Sequence, residues 1–186
     1  MSVEIAFESI NNGEVVGLPT DTVYGVGVDP LNERAVATLF EMKGRPDHKP
    51  IGLLVASIEQ AREIGDFGSQ AEKLAITHWP GALTLVVTPK VILSDWVGDT
   101  QQRTVGLRVP NHPLALDLLS RTGPLAVTSA NRSGGAETMT DTDARSVFGD
   151  QVAVYLPGTA PGGQASTVVD ATGGTLVVLR QGPVDV

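Results

Sequence analysis

No cysteine occurs among the 186 residues, which excludes disulfides, a zinc-cysteine centre, an iron-sulfur cluster and a thiol nucleophile. The three histidines, His48, His78 and His112, have none of the spacings of a zinc protease. Aromatic residues are only 4% of the chain while Val and Leu are abundant, so the core is expected to be aliphatic and rich in sheet. No apolar run reaches membrane-spanning length. The opening MSVEIAFESINNGE lacks both a basic region and an apolar signal core, so a cytoplasmic protein is expected. Positive charge is scarce as well. Thirteen Lys and Arg stand against 21 Asp and Glu, a net of -8, which argues against broad attraction to nucleic acid or to an anionic membrane. A local basic pocket survives such a total.

Hydrophobic residues at 41% and charged residues at 18% exclude an extended disordered chain and a long charged coiled coil. The length suits one sizeable core, and a single domain over 1–186 is expected. The 21 glycines and 12 prolines are spread through turns rather than gathered in a linker, and there is no internal repeat.

Short apolar runs alternate with amphipathic ones. Helices are expected over 3–12, over 31–43 with Asn32 as a start, over 58–64 after Ser57, over 70–78, in HPLALDLLSRTG, and over 141–148. Strands are expected in VVGLP, IGLLVA, ALTLVVTP, TVGLRVP, PLAVTSAN, QVAVYLPG, STVVDAT and LVVLRQG. Their nearly continuous hydrophobicity predicts strands covered on both faces. The result is an α/β or α+β fold with a twisted, mixed sheet.

Polar residues follow several apolar segments directly: PTDTVYG after VVGL, SANRSGG after LAVT, RQG after LVVL. Ligands usually bind where loops leave rigid strands in such folds, although each segment alone also reads as a turn. KGRPDHK, residues 43–49, holds three of the 13 strong positive charges: Lys43, Arg45 and Lys49. Lys43 and Arg45 pair a mobile point charge with a rigid donor fork, which suits a triphosphate; a cation there is also favourable at a helix C-terminus. Arg108 interrupts the apolar TVGLRVP and needs either an exit to solvent or a partner. Ser129 and Asn131 offer a hydroxyl and an amide to a nucleotide, or serve as a cap. Arg180 follows LVVL directly. There is no Walker A pattern and no serine-hydrolase elbow, GVGVDP is not a dinucleotide fingerprint, and the NRS sequon is discounted without a secretion signal.

PTDTVYG (19–25), KGRP (43–46), GLRVP (106–110), TSANRSG (128–134), STVVD (166–170) and LRQG (179–182) occur in that order. Together they resemble the YrdC-like family of L-threonylcarbamoyladenylate synthases, over nearly the whole chain. The resemblance implies a twisted mixed open sheet flanked by helices, with a concave basic groove. It implies conversion of L-threonine, bicarbonate and ATP to threonylcarbamoyl-AMP and pyrophosphate, for threonylcarbamoyladenosine in tRNA. Some members carry a second C-terminal domain, for which this chain is too short.

Residue by residue, the resemblance assigns Thr20 to threonine, Arg45 to ATP with Lys43 beside it, and Thr104 to ATP. It assigns Arg108 to the threonine carboxylate, Ser129 and Asn131 to the nucleotide, Ser166 to the amino acid, and Arg180 to the phosphates or adenylate. Lys49 stands where many relatives have Asn and would keep a phosphate contact through charge. Leu54 replaces a frequent His, and LRQG replaces LRPG. Lys43, Arg45 and Arg180, with magnesium held largely by the phosphates, would neutralise charge as pyrophosphate departs. Asp21 is a candidate base, although the carbamate of threonine can itself be the attacking nucleophile. Two rivals compete with this reading. One is a non-catalytic RNA- or tRNA-binding module, which the acidity and sparse aromatics disfavour. The other is a related carbamoyl- or adenylate-transferring enzyme with another substrate, motivated by Leu54.

Overall fold

The computed structural model describes residues 2–44 and 50–186. Its strands are β1 (Val16–Leu18), β2 (Gly25–Val28), β3 (Gly52–Leu54), β4 (Gly65–Asp66), β5 (Leu83–Pro89), β6 (Val105–Arg108), β7 (Leu125–Ser129), β8 (Val154–Tyr155), β9 (Thr167–Asp170) and β10 (Val177–Arg180). They form one path in the order β10-β9-β5-β6-β3-β7-β2-β1-β8, with β4 added to β5. Three neighbouring pairs are parallel, β1 with β8, β3 with β6 and β5 with β9, and the rest are antiparallel, so the sheet is mixed.

Six α-helices flank it among the described residues: α1 (Val3–Asn11), α2 (Glu33–Lys43), α3 (Ile58–Ile64), α4 (Ser69–His78), α5 (Pro113–Thr122) and α6 (Asp141–Phe148). Their ends follow local chemistry. The Asn32 side chain accepts the Ala35 N–H at 3.1 Å to open α2, and Gly44 closes it in the left-handed region at φ 60°. Ser57 accepts the Gln60 N–H at 3.2 Å, while the Gln60 side chain accepts the Ala56 N–H at 2.8 Å.

The two sheet faces do different work. On one, Val26, Val28, Leu53, Leu85 and Leu107 join apolar residues of α2, α3, α4 and α6 in the larger core. On the other, α1 and α5 cover only one region, where Val16, Leu18, Leu54 and Leu125 meet Ala6, Ile10, Leu118 and Leu119. The rest of that second face lines a groove.

This division corrects the expectation of strands covered on both faces. Along β5, Leu83, Leu85 and Val87 are buried while Thr84 and Val86 line the groove, a period-2 pattern hidden by the apolar character of Val86. All of edge strand β10 is exposed. β2 was not expected at all. In GVGV the valines enter the core, and Gly25 and Gly27 make room for Val127 of β7: a Cβ would lie 2.9 Å or 2.8 Å from its methyls.

Candidate active site

The groove has a volume of about 530 Å³ and is built on rungs of the sheet. On one, Arg180 pairs with Val168, and Val168 with Thr84. Arg108, in turn, pairs with Leu54, and Leu54 with Leu125. Among the described lining residues, positive charge comes from Arg108 and Arg180, alongside Asp99, Glu137 and Asp170. The described lining therefore sets two cations against three carboxylates, while Arg45 and Lys49 lie outside the described residues.

Arg108 has a partner for each nitrogen. Its Nε donates to Gly81 O at 2.9 Å, Nη1 to Thr22 Oγ1 at 2.8 Å, and Nη2 to Asp21 Oδ1 at 2.5 Å. The same Asp21 oxygen accepts the Asn111 N–H at 2.9 Å. Burial pushes the guanidinium below its ordinary value, and the Asp21 carboxylate opposes that shift. A guanidinium carries five N–H donors. Three are engaged in this way, and Arg108 lines the groove.

The loop after β1 makes this possible. Thr20 Oγ1 donates to Val23 O at 2.7 Å and accepts the Thr22 N–H at 3.1 Å, a tight local turn that aims Thr22 at Arg108. Asp21 is not among the groove-lining residues and holds Arg108 from behind. At the far end of the rung, Thr84 Oγ1 and Ser166 Oγ lie 2.8 Å apart. Arg180 donates to Ser166 O at 3.0 Å and to Ser166 Oγ at 3.2 Å.

Residues 8–182 match the model of the Sua5/YciO/YrdC family, described as "Telomere recombination". A putative threonylcarbamoyl-AMP synthase of Mycobacterium tuberculosis is 45% identical over 181 residues, covering 96% of this chain and 83% of its own. The crystal structure of Pyrococcus abyssi Sua5 complexed with L-threonine superposes with a TM-score of 0.91 at 36% identity, over 97% of this chain. This chain spans about half of that protein, 54%. Escherichia coli YciO matches at TM-score 0.90 and 25% identity, covering 98% of this chain and 90% of that one. The chain belongs to the Sua5/YciO/YrdC family.

In this Sua5/YciO/YrdC chain, Thr20, Thr104, Arg108, Ser129, Ser166 and Arg180 all line one groove. Lys43 and Asn131 do not. Both are buried, and the Lys43 ammonium donates to Ser129 O at 2.5 Å, Asn131 O at 2.6 Å and Asn131 Oδ1 at 3.4 Å. Asn131 Oδ1 also accepts the Ser129 hydroxyl at 2.6 Å, and its Nδ2 donates to Gly135 O at 2.6 Å. The end of α2 and the loop after β7 thus form one hydrogen-bonded unit behind the groove wall.

Sequence reasoning missed Thr22, Thr84, Gly52 and Gly106. For the glycines a signal existed, since both interrupt apolar strands, and glycine inside a strand marks a close approach. No cluster of three or more His, Asp or Glu suited to a metal occurs among the described residues. Asp99 Oδ1 already accepts two backbone N–H groups, and Asp170 Oδ1 accepts from Thr172.

Proposed function

We propose that this chain is an L-threonylcarbamoyladenylate synthase. The observation that carries the reading is Arg108, a guanidinium that lines the groove with three of its five N–H donors tied down. A guanidinium with donors to spare suits a carboxylate. Threonine would place its carboxylate on Arg108, with Thr20 and Ser166 along the same groove. The amine takes up bicarbonate with loss of water, giving a carbamate. A carbamate oxygen then attacks the α-phosphorus of ATP, the bond from that phosphorus to the α,β-bridging oxygen breaks, and pyrophosphate leaves with that oxygen and the electron pair. No side-chain nucleophile is needed.

Arg180 would meet the phosphates, and Arg45 and Lys49 would add charge. Thr104 and Ser129 would contact the nucleotide, with Asn131 and Lys43 acting through the loop they hold. Magnesium would arrive on the triphosphate and neutralise its charge. The product would feed threonylcarbamoyladenosine synthesis on tRNA, with tRNA-modification proteins as partners in the cytoplasm. No helix among the described residues is long and apolar enough to cross a membrane.

The test is release of pyrophosphate from ATP. It should require both threonine and bicarbonate, and turnover unchanged on omitting threonine would overturn the reading. Serine, alanine and threonine compared in the same assay test the amino acid beside Leu54: equal rates would remove threonine specificity.

A further inference from the structure

Thr84 stands between the two guanidiniums of the groove. Val168 pairs with Arg180 on one side and with Thr84 on the other. The β5–β6 ladder ends at Leu85 and Leu107, and Thr84 and Arg108 are the next residues along those strands. Arg180, Thr84 and Arg108 all line the groove. Three strand spacings separate the two arginines, about 14 Å between backbones. Their long side chains narrow the gap: besides burial, the charge of Arg180 helps to push the Arg108 guanidinium below its ordinary value.

The two branches of Thr84 have separate seats. A Cβ at Gly106 would lie 3.2 Å from the Thr84 methyl, so that glycine leaves the space beside which the methyl packs. The hydroxyl oxygen lies 2.8 Å from Ser166 Oγ. A β-branched side chain is stiff about χ1, and exchanging its branches would set the methyl against the Ser166 hydroxyl. Ser166 is buried, and its Oγ also accepts Arg180 Nη2 at 3.2 Å. Thr84 therefore supplies the shorter of the two contacts on that hydroxyl. Arg180 keeps a second anchor that Thr84 does not touch, its Nε donating to Ser166 O at 3.0 Å.

Resting on the synthase reading above, we infer that Thr84 is a positioning residue for the reaction, holding the Ser166 hydroxyl between Arg108 and Arg180, where the carbamate of threonine meets the α-phosphate. The carboxylate belongs to Arg108 and the phosphates to Arg180, so the atoms that join them in the product cross the rung that Thr84 occupies. A hydroxyl at that crossing meets the reacting carbamate rather than either bound end. Its misplacement therefore costs rate and leaves affinity almost unchanged.

Thr84→Val keeps the branched shape and deletes the hydroxyl, whereas Thr84→Ser keeps the hydroxyl. Thr84→Val is expected to lower kcat for pyrophosphate release more than about tenfold. Calorimetric Kd values for ATP and threonine should stay within about twofold of wild type. Thr84→Ser should recover most of the rate, and in a Ser166→Ala protein Thr84→Val should add no further loss. A measurement on the unsubstituted protein needs no variant to fold: three-bond couplings from the Thr84 methyl carbon to its backbone nitrogen and carbonyl carbon should report a single χ1 rotamer. A wild-type rate in Thr84→Val, equal losses in Thr84→Ser, additive losses with Ser166→Ala, weakened binding of both ligands or averaged couplings would each overturn the positioning role while leaving the synthase reading intact. Wild-type pyrophosphate release that needs neither threonine nor bicarbonate would instead remove the synthase reading and this role with it.

Discussion

Lys43 and Asn131, 88 residues apart, are joined twice: the ammonium reaches both the carbonyl oxygen of Asn131 and its side-chain oxygen. Lys43→Met would take from the Asn131 carbonyl oxygen its Lys43 donor, while Asn131 Oδ1 keeps the Ser129 hydroxyl and Ser129 O keeps the Asn131 N–H. The expected loss is about 1–3 kcal/mol, the cost of one unsatisfied buried acceptor. Urea unfolding measures it, and amide exchange should show the loop after β7 opening faster than the sheet. Lys43→Arg should not restore it, because a planar fork does not match three converging oxygens.

Asp21 and Arg108 form a buried ion pair that a double substitution can dissect. Asp21→Ala leaves a buried guanidinium uncompensated and is expected to cost about 3 kcal/mol. Arg108→Met in the Asp21→Ala protein should restore much of that stability, while threonine binding stays lost. Chemical denaturation reads the first effect and calorimetric titration the second. Additive losses in the double variant would contradict the pairing.

His112 gives a pH signature. Burial lowers its value below 6.5, and the nearby Asp21 carboxylate opposes without reversing the shift. Its Nδ1 is buried without a hydrogen-bond partner among the described residues. The folded protein therefore takes up a proton on His112 less readily than the unfolded chain. This contribution to stability is present above about pH 6.5 and is lost as pH falls toward the lowered folded value. Melting temperature followed from pH 7.5 to 5 should decline more for wild type than for His112→Gln.

Gly27 and Val127 should show compensation. Gly27→Ala brings a Cβ to 2.8 Å from a Val127 methyl, and overpacking of this kind costs about 1–3 kcal/mol. Val127→Ala in the same protein should recover part of it. Denaturant midpoints of the two single variants and the double variant settle the coupling.

What could be read from the residues and what could not divides along sequence distance. The start of α3 after Ser57 and the end of α2 at Lys43 rest on contacts a few residues apart, and both were legible. The sequence also announced that Arg108 needs a partner. It could not say which, because Asp21 is 87 residues away and Gly81 is 27. β2 escaped because GVGV carries no alternation of polar and apolar side chains, and its glycines answer to a valine one strand over. The exposed β10 was legible as a strand and not as an edge, since the number of neighbours a strand has is a property of the whole sheet.

The alternation along β5 has a consequence for how such a protein can change. Leu83, Leu85 and Val87 carry the fold, while Thr84 and Val86 meet whatever occupies the groove. Mutations at the second set escape most of the penalty imposed on the first, so selection can retune ligand preference one residue at a time without first passing through an unstable intermediate. A combinatorial library confined to Thr84, Val86, Val168 and Leu179 would explore new chemistries on an unaltered scaffold.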